Sequence, residues 1–497
     1  ALYCLCVAQH SEAHSGIGMA ATPRLSSEGR CTVQGDRNPL SALVPVLAGL
    51  RSLIQALPEG RTVLALPILV LACLALTACP PPMGTPPECL PRCRGVDLKG
   101  AYLVAVDLGE ADFREANLSE AELDHATFRG SDLRGADLSR AVLGNAGLSG
   151  ADLRQASLLE ATLRRADLSN ARLQGADLRN ADMSWANLRG AVLDDGTRMA
   201  EKWRLVWDLV NHGTVGQSLQ GVDLSQADLD GLDLSDLELG DTNLRGASLE
   251  GANLSGADLA GGQLRGAVLN GANLSEADLS GATLAGAWLV GARLPGARLA
   301  GADLSGSALN QIDLTGAGLV GANLSRCDLS QANLSAADLG GADLRRTRWW
   351  ETVLDEQTRI DDKSRLVWEI VNQGAAGRSL QAADLRQTDL NGADLSGADL
   401  SRADLSLSDL SRANLSRTDL TGADLTQAGL GAANLSGSNL AGAVLTQARL
   451  NRADLRNAIL VGADLSRARL EDADLTGADL RGATLTGATM PDGKVHD

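Results

Sequence analysis

Aromatic residues are almost missing from this chain of 497 residues: two Phe, two Tyr and seven Trp, 2% in all. A wide core of the ordinary globular kind, filled by rings, is excluded. Positive charge is short as well. The 44 Lys and Arg stand against 62 Asp and Glu, for a formal net charge of −18 and a pI near 4.8. A protein that wraps nucleic acid needs a basic stripe, so this balance argues against a nucleic-acid partner. No run of five like charges occurs, which excludes a charged tail. Histidine is sparse, at positions 10, 14, 125, 212 and 496, and no Ser or Cys stands with a His and an acid as a nucleophile with its base. The sequence therefore proposes no catalytic residue, no metal ligand set and no cofactor.

What is present is a period. From Leu219 to Leu354 every fifth residue is Leu, broken only by Trp349, with Ala two places before most of them and Asp or Asn immediately before. Ala252-Asn253-Leu254 and Ala302-Asp303-Leu304 are examples. A helix repeats its apolar residues at steps of three and four, and a half-buried strand alternates strictly. Here alternation lasts three residues, Ala in, Asp out, Leu in, and two polar residues then turn a corner. Short strand, turn, short strand is one side of a β-helical coil, and units that cannot bury their apolar side alone must stack. One small and one medium inward side chain fill a narrow tube, which accounts for the scarcity of rings.

Runs such as Gly397-Ala398-Asp399-Leu400 resemble the pentapeptide-repeat family, written A(D/N)LxX. The resemblance implies an all-β fold, a right-handed quadrilateral parallel β-helix with four pentapeptides per coil. It says little about function. Some family members, the quinolone-resistance proteins, resemble an acidic duplex and occupy gyrase, so an acidic DNA mimic acting on a DNA-processing enzyme is the alternative to a structural or protein-interaction scaffold.

The chain divides into a front, three tracts and two inserts. Residues 61–78 place Arg61 before an apolar run from Val63 to Leu76, the layout of a signal peptide and too short to span a membrane. Leu76-Thr77-Ala78-Cys79 resembles the bacterial lipoprotein signal box, which implies cleavage before Cys79 and lipidation of its sulfur; a plain secretory signal is the alternative. The implied location is the bacterial cell envelope, lipid-anchored. Residues 1–60 precede that signal and carry no repeat. They are expected to be absent from the mature protein, or else to form a disordered extension with one amphipathic helix. Residues 79–94 open on a Pro-rich, stiff spacer, and Cys89 and Cys93 within them are spaced for a disulfide or stand as free thiols.

The repeat tracts occupy 95–193, 219–354 and 380–490. Between them lie inserts at 194–218 and 355–379 that match at an offset of 161, Arg204-Leu205-Val206-Trp207 against Arg365-Leu366-Val367-Trp368. Each reads as a three-turn α-helix, acids leading and Asn then Gly closing. Its apolar arc is about twice the stripe of a surface helix, which predicts burial between two surfaces. A cap between separate stacks is preferred to a helix on the flank of one stack. Outward Asp and Asn read as a solvated coat balanced by neighbouring Arg. Trp185, Trp288 and Trp350 point outward by register and are the candidate contacts for an unidentified protein partner. Residues 491–497 are too few, and too rich in Pro and Gly, to make a covering helix. The open C-terminal coil is therefore expected to be covered by a second copy in a homodimer.

Overall fold

The computed structural model describes residues 84–213 and 218–497. The signal peptide, Cys79 and the segment 1–60 lie outside the described residues.

One pentad shows why this sequence turns as it does, because all five of its backbone N–H groups find an acceptor. In 132–136, Asp132 N–H donates to Ala111 O in the coil before, and Leu133 N–H to Asp152 O in the coil after. Arg134 N–H donates to the Asp132 carboxylate at 3.3 Å. Gly135 N–H reaches Arg154 O in the coil after, and Ala136 N–H closes the turn on Leu133 O at 3.0 Å. The outward Asp or Asn is thus more than a coat. Its side-chain oxygen accepts the one turn N–H that no neighbouring coil can reach, the Asx-turn arrangement.

The second residue after each central Leu must take a positive φ, as in a type II turn. Gly135 does so at 66°, but Arg140, Gln155, Leu407 and Ala432 adopt the same conformation at 58°, 60°, 62° and 54°. Tertiary stacking therefore overrides a local preference for glycine at these corners.

Parallel bridges join residue i to i+20 along each tract, as in Asp97↔Asn117 and Asp399↔Asp419, which is four pentads per coil. Central Leu residues such as Leu133, Leu274 and Leu400 are fully buried. Each contributes roughly 1.5–3 kcal/mol of apolar burial. Phe113 and Phe128 fit the tube by meeting edge to face, 5.7 Å between centroids. Where Ser or Thr replaces the inward Ala, the hydroxyl donates to a Leu carbonyl, either of the preceding coil, as Ser131 to Leu108 and Thr242 to Leu219, both at 2.7 Å, or of its own turn, as Thr388 to Leu385 and Ser438 to Leu435.

Each of the first two stacks runs one pentad further than its Leu spacing predicts. Asp177 bridges Arg198 and Asp338 bridges Arg359, both at an offset of 21. One residue is looped out, and Thr197-Arg198-Met199 and Thr358-Arg359-Ile360 continue the inward-outward-inward pattern. Thr197 and Thr358 anchor the step by donating to Leu173 O and Leu334 O. The missing Leu and the extra residue hid this pentad from a strict count of fives.

Helix α1 (Glu201–His212) and helix α2 (Asp362–Gln373) follow. Asp361 caps α2 by accepting Ser364 N–H, whereas Ala200 gives α1 no side-chain cap. Both helices bury one stripe, Trp203, Val206 and Leu209 in α1 and Ser364, Val367 and Ile370 in α2. Trp207 Nε1–H donates to Ala191 O and Trp368 Nε1–H to Thr352 O, each at 2.7 Å, which ties each helix to the last coil before it. On the other side Lys202 pairs with Asp223 at 3.2 Å and Lys363 with Asp384 at 2.9 Å, in the first coil after it. Among the described residues no β-bridge crosses either insert.

Candidate interaction surface

The stacks nevertheless meet along one face. Trp185 N–H donates to Gln226 O at 2.7 Å, and Arg346 N–H to Gln387 O at 2.8 Å, the same corner at both joints. Side chains reinforce the contact. Arg189 pairs with Asp228 at 3.2 Å, and Arg348 with Asp389 at 3.6 Å. The outward column that runs Val268, Trp288, Ala308, Asp328, Arg348 therefore continues into Asp389, Asp409, Gly429, Arg449, Arg469.

Trp185 is not an outward residue, contrary to its register. It sits at the first joint with its indole N–H donating to Gly246 O at 2.7 Å, and the guanidinium groups of Arg164 and Arg165 each lie 5.2 Å from the ring. The next stack covers a ring that the repeat alone would leave in water. Trp288 and Trp350 remain on the surface, 56% and 55% exposed. Trp349, the ring that replaces Leu, is buried at the last coils of the second stack, where Asn372 of α2 donates to its carbonyl at 2.8 Å.

Cys89 and Cys93 form a disulfide that closes a tight loop at the start of the first coil, where Cys93 is a buried pentad centre whose N–H donates to Asp112 O at 2.8 Å. Cys327 is buried, its thiol 3.0 Å from Leu304 O, and burial pushes its pKa up to about 12, which leaves it inert. Among the described residues no group of His, Cys, Asp or Glu is arranged to hold a metal ion, and no helix is long and apolar enough to cross a membrane. Gly316-Ala317-Gly318-Leu319-Val320-Gly321 matches the Gly-x-Gly-x-x-Gly spacing of dinucleotide-binding turns, but it lies within the coils and opens no helix.

Many outward carboxylates are held by Arg two residues on. Arg114 grips Asp112 through two hydrogen bonds of 2.8 and 2.6 Å, and that contact holds the Asp112 carboxyl down at about 2. Arg134, Arg154, Arg179, Arg345, Arg456 and Arg481 repeat the grip on Asp132, Asp152, Asp177, Asp343, Asp454 and Asp479. Asn side chains extend the pattern between coils, Asn117 donating to Asp97 and Asn323 to Asp303. Asp389 is the exception, since burial at the second joint raises its pKa more than Arg348 lowers it.

Beside that joint lies a groove of about 750 Å³. Its floor includes Gly429 and Gly431, and its rim carries Arg346, Arg449, Arg467 and Arg469. Among the described residues, Arg469 alone of these four has a carboxylate partner, Glu471 at 3.0 Å. No period of five announces such a feature, because it depends on which outward residues happen to stack.

The C-terminal tail closes one side of the last coil by a route that its composition did not suggest. Residues 491–497 fold back so that Thr489 bridges Val495 in antiparallel fashion, and Gly487 N–H donates to His496 O at 2.7 Å. Leu475, Leu480, Leu485 and Met490 stay only partly buried.

A family model described as "Pentapeptide repeats (8 copies)" matches overlapping segments that together span 92–195, 216–348 and 379–487. No curated protein sequence matches the chain. Among solved structures, HetL, a pentapeptide repeat protein involved in heterocyst differentiation regulation in the cyanobacterium Nostoc sp. strain PCC 7120, is 34% identical. The match covers 56% of this chain and 91% of that one, with a TM-score of 0.17. A pentapeptide repeat protein of the Arabidopsis thaliana thylakoid lumen is 32% identical over 25% of this chain and 85% of its own, with a TM-score of 0.19. QnrB1, a plasmid-mediated fluoroquinolone resistance protein, is 20% identical over 51% and 90%, with a TM-score of 0.17.

Proposed function

This chain belongs to the pentapeptide-repeat family, a right-handed quadrilateral β-helix, and we propose that it is a non-catalytic scaffold, lipid-anchored in a bacterial envelope, that presents its outward faces to a protein partner. The observation that carries the scaffold reading is the division of labour within the pentad. Inward residues fill a dry tube, backbone groups are satisfied between coils, and only outward side chains remain for recognition. Anchoring rests on the apolar run before Leu76-Thr77-Ala78-Cys79 and on the Pro-rich spacer after it. Two acyl signals at one terminus would hold the protein stably on a membrane.

Fractionation with intact-mass measurement tests the anchored reading. The expected species is membrane-bound, begins at Cys79 and carries acyl mass. A soluble species that retains peptides from residues 1–60 overturns it. The DNA-mimic alternative is less well supported, because Arg residues two places on neutralise many of the acids that would have to imitate phosphates. A cytosolic protein that inhibits gyrase supercoiling would favour it.

The same reading has the C-terminal coil pair end to end with a second copy, since four large apolar side chains there are only partly covered. Sedimentation is expected to show a dimer that Leu485→Glu dissociates. A monomer at micromolar concentration, unchanged by that substitution, contradicts it.

A further inference from the structure

Of the seven Trp residues, five have a structural task. Trp185, Trp207 and Trp368 donate to carbonyls, while Trp203 and Trp349 are buried. Trp288 and Trp350 have none. Each is more than half exposed, and among the described residues nothing accepts from either indole N–H. Register puts them on the same face. Trp288 immediately precedes the centre Leu289, Trp350 immediately follows the centre Trp349, and both centres belong to one column of the stack. Three coil steps separate them, about 14 Å along the axis.

That face is the one that stays continuous through the second joint, by way of Arg346 to Gln387 and Arg348 to Asp389. It leads straight into the groove with the Gly429 and Gly431 floor, whose far end carries Arg449, Arg467 and Arg469. The track therefore has two open aromatic rings, then a trough lined by Asp389, Asp409 and neutral polar side chains, then a cluster of guanidinium groups.

The backbone narrows the class of ligand. An extended peptide commonly docks by adding a strand to an exposed sheet edge. Within each stack this face offers no edge, because its N–H and C=O groups join the coil before and the coil after, and at the second joint Arg346 N–H to Gln387 O ties the two stacks together. Recognition must come from side chains alone, spread along a flat line. Trp rings offer flat apolar area with a polar tip, and Gln427 and Gln447 on the groove wall offer amides to hydroxyl groups. Among the described residues Arg449 and Arg467 have no carboxylate partner, and a planar guanidinium fits a carboxylate through two parallel hydrogen bonds. The groove lining sets Arg346, Arg449, Arg467 and Arg469 against Asp389 and Asp409, a net positive patch in a chain of net charge −18.

We propose that this face binds a linear acidic polysaccharide lying along the stack axis, with sugar rings stacked on Trp288 and Trp350 and a carboxylate held by Arg449 and Arg467. The inference does not depend on the lipid anchor or on a protein partner.

Affinity electrophoresis of the full chain through gels containing polygalacturonate is the test, with hydroxyethylcellulose and linear polyphosphate in parallel gels. Retardation is expected in polygalacturonate. The double variant Trp288→Ala, Trp350→Ala is expected to weaken it at least tenfold, and Arg449→Glu with Arg467→Glu to abolish it. All four side chains are on the surface, so melting temperatures should not move. Absence of retardation in polygalacturonate overturns the proposal. So does retardation that the tryptophan pair does not affect, equal retardation by the neutral glucan, or polyphosphate retention as strong as that of the glycan.

Discussion

At the scale of a residue, the A(D/N)L motif is a hydrogen-bonding solution before it is a surface pattern. Asp303 accepts Ser305 N–H at 3.1 Å and Asn323 Nδ2–H at 2.9 Å through the same oxygen. Asn at this position keeps that oxygen, so Asp303→Asn should change stability by less than about 0.5 kcal/mol. Asp303→Ala strands a turn N–H and should cost about 1 kcal/mol. Urea denaturation of the two variants separates these outcomes. Equal loss in both would remove the Asx-turn role. The corner residue gives a second prediction, of opposite sign to the usual effect of glycine. Ala432 is exposed at φ 54°, a conformation that costs an L-residue roughly 1–2 kcal/mol. Ala432→Gly should stabilise the protein, by about 1 kcal/mol or less once the extra freedom of glycine in the unfolded chain is counted. The sequence showed which residues face inward, because alternation around Leu is a matter of sterics. It did not show why Asp and Asn recur, since their partner is a backbone N–H that exists only once the turn has formed.

At the scale of an element, both inserts were legible as helices with Gly stops, but of the wide apolar arc only one stripe is buried, and Leu205, Trp207 and Val210 in α1 stay half-buried. The closing Asn was only half understood. Asn372 Nδ2–H donates to Trp349 O at 2.8 Å and to Trp368 O at 3.0 Å, and Asn211 makes the matching pair to Leu188 O and Trp207 O. This side chain satisfies one carbonyl at the end of a coil stack and one in the helix itself, and so ties the two together. Asn372→Ala is expected to destabilise the second joint by about 1–3 kcal/mol. Hydrogen exchange should show the loss as faster exchange confined to 349–373 and the adjoining coils. Uniform acceleration along the chain, or none at all, would contradict a local locking role. The contact between stacks at Trp185 and Arg346 could not be read from the sequence. It depends on how a looped-out residue and a helix together set the next stack down, and no spacing of apolar residues encodes that placement.

At the scale of the whole molecule, two consequences follow from a thin core wrapped in paired charge. The first concerns acid. Asp112 titrates at about 2 and Asp132, Asp152, Asp177, Asp343 and Asp454 are also lowered, chiefly by hydrogen bonds from Arg. A depressed folded-state pKa means that the unfolded chain binds more protons between that value and the ordinary one near 4. The stability these pairs contribute is present above pH 4 and is lost as pH falls toward 2. Asp389 runs the other way, because its raised pKa makes its contribution fall as pH rises, but it is one group against many. Melting temperature should decline between pH 4 and pH 2, with a smaller decline in Arg114→Gln. Because these pairs are largely solvated, each contributes little and the effect is cumulative.

The second consequence is the central claim, that inward residues carry the fold and outward residues are free for recognition. Replacing each residue of one coil, 267–286, singly by Asp and recording melting temperature tests this most directly. Loss should peak at Leu269, Leu274, Leu279 and Leu284 and at Ala267, Ala272, Ala277 and Ala282, where a carboxylate would enter a dry tube at several kcal/mol. Outward positions such as Val268, Asn273, Ser275 and Thr283 should change far less, so that the profile repeats every five residues. A flat profile, or outward losses equal to inward ones, would contradict the account.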